Sequence, residues 1–257
     1  MPYTLRRPAA AAGARAPGEA IAPVIAEGRF GLAVQPVCST LSRAPDHMEA
    51  LLRPPASDGL SPRAFVAAAE AAGLGPALDR AVLHAARTLP GLVSVNVCAR
   101  SLQQRDFVRI VLDVGAGALE LVRTETVDDL AAVAAAVTEL RACGVRVALD
   151  AVDGGAASLA LAQAARFDAL KLSGGVVRAA IAGARGRRLL GELLRLAEAV
   201  GARVIATQIE TLPQLWAMQR EGVELVQGWL LGAPVTAPPL PPAGDAGQGL
   251  GAAPGLP

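Results

Sequence analysis

Short apolar runs typical of β-strands alternate along this chain with longer segments rich in Ala, Leu and Arg that are typical of helices. Several of the runs are apolar at almost every position, as expected for a parallel sheet that is covered on both faces. Eight such strands with intervening helices in about 205 residues predict a single-domain α/β fold, a TIM-like (β/α)8 barrel. The predicted strands are GLAVQPV, HMEALLR, GLVSVNV, ALELVRT, VRVALD, DALKLS, ARVIAT and VELVQGW.

Helical patterns fill most of the intervals between these strands. An open, doubly wound sheet is the alternative to a barrel for such an alternation, but the chain has no Gly-rich phosphate loop after its first strand to support it. The pattern therefore favours the barrel. The predicted helices are PRAFVAAAEAAGLGPALDRAVLHAARTL, TVDDLAAVAAAVTELRACG, GELLRLAEAVG and TLPQLWAMQREG.

The two ends of the chain differ in composition from its middle. Residues 1–29 are rich in Ala, Arg and Pro, and Pro8 and Pro17 interrupt any long apolar stretch. We therefore expect a disordered lead there rather than a signal peptide. Residues 236–257 are rich in Pro and Gly and cannot pack a core, so we expect a disordered tail. The folded domain is predicted over 30–235.

Charge and cysteine content narrow the functional classes. The 24 basic and 23 acidic residues leave no excess positive charge for a nucleic-acid surface. The apolar runs are shorter than the roughly 20 residues of a membrane-spanning helix. Cys38, Cys98 and Cys143 lack the spacing of a zinc or redox motif, so we expect three buried thiols in a cytoplasmic protein. His47 and His84 are too few for a histidine-based metal site or triad.

Polar residues lie at or just past the ends of six predicted strands. In a (β/α)8 barrel the active site is formed at the C-terminal ends of the strands, so these side chains are expected to converge. Their carboxylate and amide oxygens suit a hard divalent cation such as Mg²⁺ or Mn²⁺. The six residues are Asn96, Glu125, Asp150, Lys171, Glu210 and Gln227.

Eight motifs, in order along the chain, resemble those of EAL domains, the bacterial phosphodiesterases that linearise cyclic di-GMP. HMEALLRP carries the Glu-Ala-Leu signature, and LELVRTET is similar to the family's LELEITES. The resemblance covers nearly all of 30–235 and implies a TIM-like barrel, in agreement with the strand pattern. The other six motifs are QPV, SVNVCARSL, VALDAVDGGAASL, FDALKLSGGVV, VIATQIET and VQGWLLGAP.

The resemblance implies roles for individual residues. Glu49, Asn96 and Asp150 correspond to the family's ligands for Mg²⁺ or Mn²⁺. Leu51 and Arg53 correspond to residues that contact the dinucleotide. In this chain the metal set is incomplete, so a bound metal is an open question.

Four further correspondences follow from the same motifs. Lys171 matches the lysine near the attacking water, and Glu125 matches the Glu that braces the loop after the Asp-Asp strand. Glu210 matches the second Glu of AEGVE, and Gln227 matches the Gln of the QG strand. Together with Arg53, the side chains of Lys171 and Gln227 are expected to meet phosphates and guanine edges.

The departures from the family pattern concern catalysis. Val122 replaces a metal-binding Glu, Ala151 replaces the second Asp, and Thr207 replaces the first Glu of AEGVE. A local shift could bring Glu125 into the place of Val122, but the shared Thr-Glu ending favours the gapless match. Two-metal hydrolysis needs both cations on the attacking and leaving oxygens. The sequence therefore predicts no catalytic residues in working order, with Val122 filling the gap among Glu49, Asn96 and Asp150.

Three functions remain open from the sequence. The first is a receptor that binds cyclic di-GMP without hydrolysing it, and the second is a protein–protein interaction module that binds no nucleotide. The third is a weak phosphodiesterase that produces pGpG. The loop that organises the family's dimer, DDFGTG, is DAVDGG here, so dimerisation is in doubt. A protein partner is expected in either of the first two cases.

Overall fold

The structure is a computed structural model that describes residues 17–122 and 127–237. Eight strands close into a barrel, and the two-residue strand β9 (Val235–Thr236) pairs with the part of β1 that precedes its pairing with β8. The predicted α/β barrel is confirmed, and each of its predicted strands is present. The barrel strands are β1 (Gly31–Ser39), β2 (Pro45–Arg53), β3 (Val93–Cys98), β4 (Ala118–Val122), β5 (Arg146–Val152), β6 (Ala169–Leu172), β7 (Arg203–Ala206) and β8 (Leu225–Gln227).

The first strand runs against the others. β2 to β8 are parallel neighbours, whereas β1 pairs antiparallel with both β2 and β8. Only residues 40–44 connect β1 to β2, and parallel strands need a crossover of a dozen or more residues. The antiparallel register places Gln35 opposite Glu49 and Val37 opposite Gln227.

Helices surround the barrel. The single helix predicted over 62–89 is two helices, because Gly73 has a φ of +73° and ends the first one. Ala56–Asp58 forms a single 3-10 turn. The helices are α1 (Pro17–Ala26), α2 (Pro62–Ala71), α3 (Gly75–Ala86), α4 (Ala99–Leu102), α5 (Phe107–Asp113), α6 (Leu130–Ala142), α7 (Ala156–Ala164), α8 (Gly174–Ala182), α9 (Ala184–Val200) and α10 (Leu212–Arg220).

Helix α1 corrects the expectation of a disordered lead over 1–29. Its residues Ile21, Val24 and Ile25 are buried in the main core. The spacing of three and one residues puts these side chains on one apolar stripe, which packs against the barrel's outer layer. The lead is therefore structured from Pro17 onwards. Residues 1–16, and the tail from 238 on, lie outside the described residues.

The apolar core has two parts. The larger part fills the space between the strands and the helices. A separate small cluster of Val37, Ala169, Ile205 and Leu225 belongs to the inward positions of β1, β6, β7 and β8. Because side chains alternate along a strand, the next inward positions on these strands come two residues later. On β6 and β8 they are Lys171 and Gln227, so a polar layer lies on a floor of small apolar side chains.

A buried carboxylate on α3 holds the end of β3. The Oδ2 atom of Asp79 accepts hydrogen bonds from the Cys98 amide at 2.7 Å and from the Ser101 hydroxyl at 2.6 Å. Burial raises the pKa of Asp79 to about 6, although both hydrogen bonds favour the ionised form. Asp79 thereby fixes the strand that carries Asn96.

The thiols and histidines occupy different environments. Cys38 and Cys98 are buried as expected, but Cys143 is exposed at the end of α6, which corrects the expectation of three buried thiols. All three are free. His84 lies on α3 in an exposed position, and His47 lies on β2 beside Asp46 at 2.9 Å. Within residues 17–122 and 127–237, every helix is too short or too polar to cross a membrane.

Candidate functional site

Polar side chains from β1 to β6 and β8 meet inside the C-terminal end of the barrel. They occupy inward positions of their strands, directly after the small apolar floor. Most of them are buried, and buried polar groups are stable only when they are hydrogen-bonded to one another. The layer consists of Gln35, Glu49, Ser94, Asn96, Glu120, Asp150, Lys171 and Gln227.

Lys171 is the centre of this layer. The residue is 3% exposed, and its Nζ atom donates to Glu49 Oε2 at 2.8 Å and to Glu120 Oε2. Burial disfavours the ammonium, but the charges of Glu120, Glu49 and Asp150 outweigh it and raise the pKa of Lys171. The lysine is therefore a fixed positive charge among carboxylates.

Both oxygens of Glu49 are engaged by protein donors. Oε1 accepts from the Asn96 side-chain amide at 2.8 Å, and Oε2 accepts from the Gln227 amide at 2.5 Å in addition to Lys171. Burial opposes ionisation of Glu49, but Lys171, Asn96 and Gln227 together hold its pKa below the usual range. Gln227 also donates to Gln35 at 3.4 Å.

Glu120 is a member of the site that the sequence analysis missed. It lies in the middle of β4, fully buried, and accepts from the Ser94 hydroxyl at 2.7 Å as well as from Lys171. Burial, followed by the negative charge of Glu49, raises the pKa of Glu120 to about 7, against the opposing effect of Lys171. A carboxylate inside the apolar run ALELV was the available signal, because an unpaired charge there would be prohibitively costly.

The β5 end of the site keeps one carboxylate and lacks its neighbour. Asp150 faces the cleft, and burial raises its pKa. Ala151 is exposed, with a φ of +57° that alanine rarely adopts. Asp153 is also exposed, and its Oδ1 atom accepts from the Gly155 amide at 2.8 Å. Asp153 is thus turned to its own loop and does not replace the carboxylate that Ala151 lacks.

A cleft of about 550 Å³ opens above Lys171. Trp229 stands at its rim with 71% of the residue exposed. Thr207 donates its hydroxyl proton to the Leu172 carbonyl at 2.8 Å, and Gln208 has a φ of +59° and accepts from Arg178 at 2.5 Å. The described residues that line the cleft are Gln35, Asp150, Lys171, Thr207, Gln208, Glu210, Gln227, Gly228 and Trp229.

Leu51 and Arg53 lie farther along β2 and are not among the described residues that line this cleft. Both are half-buried, and the guanidinium of Arg53 donates to the Leu52 carbonyl at 3.0 Å. Arg53 lines a different cavity of about 560 Å³ together with Phe30 and Thr236. Of the four predicted ligand contacts, Lys171 and Gln227 therefore line this cleft. Leu51 and Arg53 do not.

Two predictions fall on the end of β4. The backbone of Val122, the last residue of β4, pairs with that of Cys98, the last residue of β3. The side chain of Val122 is not among the described parts of the chain. Its place among Glu49, Asn96 and Asp150 therefore stays a prediction. Glu125 lies outside the described residues. The alternative in which it replaces the ligand lost at Val122 therefore stays untested.

The side chains as arranged do not fit a divalent cation. The oxygens of Glu49 accept from Asn96, Gln227 and Lys171, and an oxygen of Glu120 accepts from Lys171. A metal needs several of these oxygens free and close together. Across the described ranges, no group of three His, Cys, Asp or Glu side chains could hold a metal ion.

Comparisons with known proteins agree with the barrel and the motifs. The EAL domain family matches residues 19–234. The chain is 28% identical over 237 residues to the cyclic di-GMP phosphodiesterase NbdA of Pseudomonas aeruginosa, which covers 84% of this chain and 30% of that protein. The chain thus spans about a third of that relative's length.

Two solved structures show the same fold at low identity. The FimX EAL domain of Pseudomonas aeruginosa, bound to c-di-GMP, superposes with a TM-score of 0.74 at 19% identity and covers 84% of this chain and 96% of its own. The calcium and cyclic di-GMP complex of BlrP1 from Klebsiella pneumoniae gives 0.68 at 24% identity, over 80% and 56%. With the family match over 19–234, the chain belongs to the EAL domain family.

Proposed function

We propose that this chain binds cyclic di-GMP and does not hydrolyse it. EAL domains act in cyclic di-GMP signalling, and the relatives named above are a phosphodiesterase of this dinucleotide and two proteins in complex with it. The receptor and the enzyme differ in one respect, namely whether the centre can activate water. That difference is decided by the residues at the strand ends.

The observation that carries the proposal is the lost carboxylate at Ala151, next to Asp150. In two-metal hydrolysis the paired cations generate the nucleophile and stabilise the leaving oxygen. Here Ala151, next to the last residue of β5, offers only an exposed methyl group. On the next strands, the hydroxyl of Thr207 is bound to the Leu172 carbonyl. A general base alone contributes about 10²–10⁴-fold to such a reaction, so the loss of both carboxylates should abolish practical turnover.

The cleft keeps features that suit a nucleotide. Trp229 offers an exposed ring on which a guanine base can stack, and base–aromatic stacking contributes about 1–3 kcal/mol. The amides of Gln35 and Gln227 supply polar contacts within the same cleft. Arg53, which ends β2 and does not line this cleft, is the guanidinium proposed to clamp a phosphate. Leu51 is proposed to support the bound dinucleotide beside it.

The proposal is tested by incubating the purified chain with cyclic di-GMP and Mg²⁺ or Mn²⁺ and separating the products by chromatography. We expect no pGpG above the level of a protein-free sample. A combined Ala151→Asp and Thr207→Glu variant serves as the matched comparison, because it restores two of the family's carboxylates on the same scaffold.

Metal-dependent formation of pGpG by the unaltered chain at many turnovers per minute would contradict the proposal and support the weak phosphodiesterase. Failure to retain the dinucleotide in the same samples, measured by equilibrium dialysis, would support the interaction module instead. The two failures are therefore told apart within one set of samples.

A further inference from the structure

The ion pairs of the central layer have an unusual balance. One ammonium, Lys171, contacts two carboxylates at once, and all three side chains are at most 7% exposed. A buried ionised carboxylate is costly unless hydrogen-bond donors or a positive charge lie beside it. A divalent ion is one possible source of such a positive charge. In this chain Lys171 already supplies that charge for Glu49 and for Glu120.

The hydrogen bonds leave little for a metal to use. Each oxygen of Glu49 has a protein donor, with Asn96 on one and both Gln227 and Lys171 on the other. Glu120 uses one oxygen for Ser94 and one for Lys171. A divalent ion at Glu49 would have to break these bonds and stand close to a like charge, with Ala151 offering no oxygen from its side chain in return.

We infer that Lys171 is the resident cation of this site and that Glu120 is its second counter-ion, so that the centre assembles without a divalent metal. Glu120 holds the ammonium from the β4 side, and Ser94 fixes the orientation of Glu120. The inference concerns the protein without nucleotide, so it does not depend on the binding of cyclic di-GMP.

The inference is tested with Mn²⁺ as the probe, by electron paramagnetic resonance of the free ion and by the melting temperature in EDTA or Mn²⁺. In the unaltered chain we expect no Mn²⁺ binding below about 1 mM and no change in melting temperature. Lys171→Met leaves Glu49 and Glu120 without their cation. This variant should melt lower in EDTA, recover in Mn²⁺, and bind the ion at least tenfold more tightly than the unaltered chain.

Two controls separate this effect from general destabilisation. Arg203→Met removes a cation from the ion pair with Asp46 at the opposite end of the barrel and should show no response to Mn²⁺. Lys171→Met combined with Glu120→Gln removes one of the two carboxylates and should lose most of the gained Mn²⁺ binding.

Tight Mn²⁺ binding by the unaltered chain that disappears in Glu49→Gln would overturn the inference, whether or not the Lys171 variant folds. The inference would also be overturned by a folded Lys171→Met protein that, like the unaltered chain, neither binds Mn²⁺ nor changes its melting temperature when Mn²⁺ is added. If Lys171→Met does not fold in EDTA, recovery of its folded circular-dichroism spectrum in Mn²⁺ is the expected result, and no recovery would count against the inference.

Discussion

The two ends of the barrel solve the same electrostatic problem in opposite ways. At the N-terminal end one carboxylate, Asp46, lies beside two guanidinium groups, with Arg203 at 3.0 Å and Arg146 at 3.4 Å, and also contacts the His47 ring at 2.9 Å. At the C-terminal end several carboxylates compete for one ammonium, Lys171.

The pKa values of Asp46 and Glu120 reflect these opposite charge balances. Hydrogen bonding to Arg203 leads the effects that lower the pKa of Asp46 to about 2, whereas burial and Glu49 raise that of Glu120 to about 7. An ion pair at a half-exposed rim can be explained by stability alone. A buried excess of carboxylates is costly for stability, and such excesses are typical of functional sites. The comparison therefore points to the C-terminal end as the site.

The largest expected effect is on the free energy of unfolding when the central cation is removed. Lys171→Met leaves the buried carboxylates of Glu49 and Glu120 without a positive charge beside them, which typically costs about 3–5 kcal/mol. Arg203→Met at the other end removes a partner that is 39% exposed from Asp46, and such pairs contribute about 1 kcal/mol or less. Urea unfolding of both variants measures the contrast. Equal losses would show that the two ends do not differ as described.

The pH dependence of unfolding should have opposite slopes for the two ends. Glu120 has a raised pKa when folded, so its contribution weakens the fold as pH rises from about 4 to about 7, by up to about 3 kcal/mol. Asp46 has a lowered pKa, so its stabilisation is present above about pH 4 and is lost as pH falls towards 2.

The matched variants isolate each slope. Glu120→Gln should remove the loss of stability between pH 4 and 7, and Asp46→Asn should flatten the acid limb. Denaturant unfolding at a series of pH values checks both. A Glu120→Gln curve that runs parallel to that of the unaltered chain over this range would argue against a raised pKa at Glu120.

Most of the fold, but less of the site, could be predicted from the sequence. The eight strands were readable because their apolar runs are short and bounded by polar or turn residues. Helix α1 was missed because Pro17 begins it and Pro23 lies inside it, within an Ala-rich lead, although Ile21 and Ile25 are buried on its apolar face. The antiparallel direction of β1 follows from the short connection over 40–44. The hydrophobic periodicity of a strand does not indicate its direction.

Glu49 was predicted from its motif although it lies in the middle of β2, whereas Glu120, in the middle of β4, was missed. Glu49 and Asn96 do contact each other, as expected from their motifs. Glu120 lies two residues before the strand end that drew attention, and its partner Lys171 is 51 residues away along the chain. Such a pairing depends on closure of the barrel, so no local pattern shows it.

The next largest effect expected, after those on unfolding, is on nucleotide binding at the C-terminal end of the barrel. Arg53→Ala should weaken the affinity for cyclic di-GMP roughly tenfold or more, because loss of a charge-assisted hydrogen bond to a phosphate costs about 1.5–3 kcal/mol. Arg188→Ala on the exposed face of α9 is the matched control and should bind as the unaltered chain does. Unchanged affinity in Arg53→Ala would place the phosphate elsewhere, and calorimetry measures both variants.

The smallest expected effect is a gain in stability at the cleft rim. Gln208 holds a left-handed backbone at φ +59°, where a side chain costs about 1–2 kcal/mol and glycine does not. After the entropy that glycine loses on folding and the loss of the exposed contact with Arg178, Gln208→Gly should stabilise the fold by about 0.5 kcal/mol. Gln208→Ala loses the same contact and keeps the strain, so it should not gain. A stability gain in the alanine variant would show that the strain is not the cause.

Calorimetric titration of the unaltered chain with cyclic di-GMP, in EDTA and again in Mg²⁺, tests the central claim most directly. We expect binding with one dinucleotide per cleft, an affinity that changes little between the two buffers, and intact cyclic di-GMP at the end of each titration. Absence of measurable heat in both buffers, or binding in Mg²⁺ alone followed by conversion to pGpG, would contradict it.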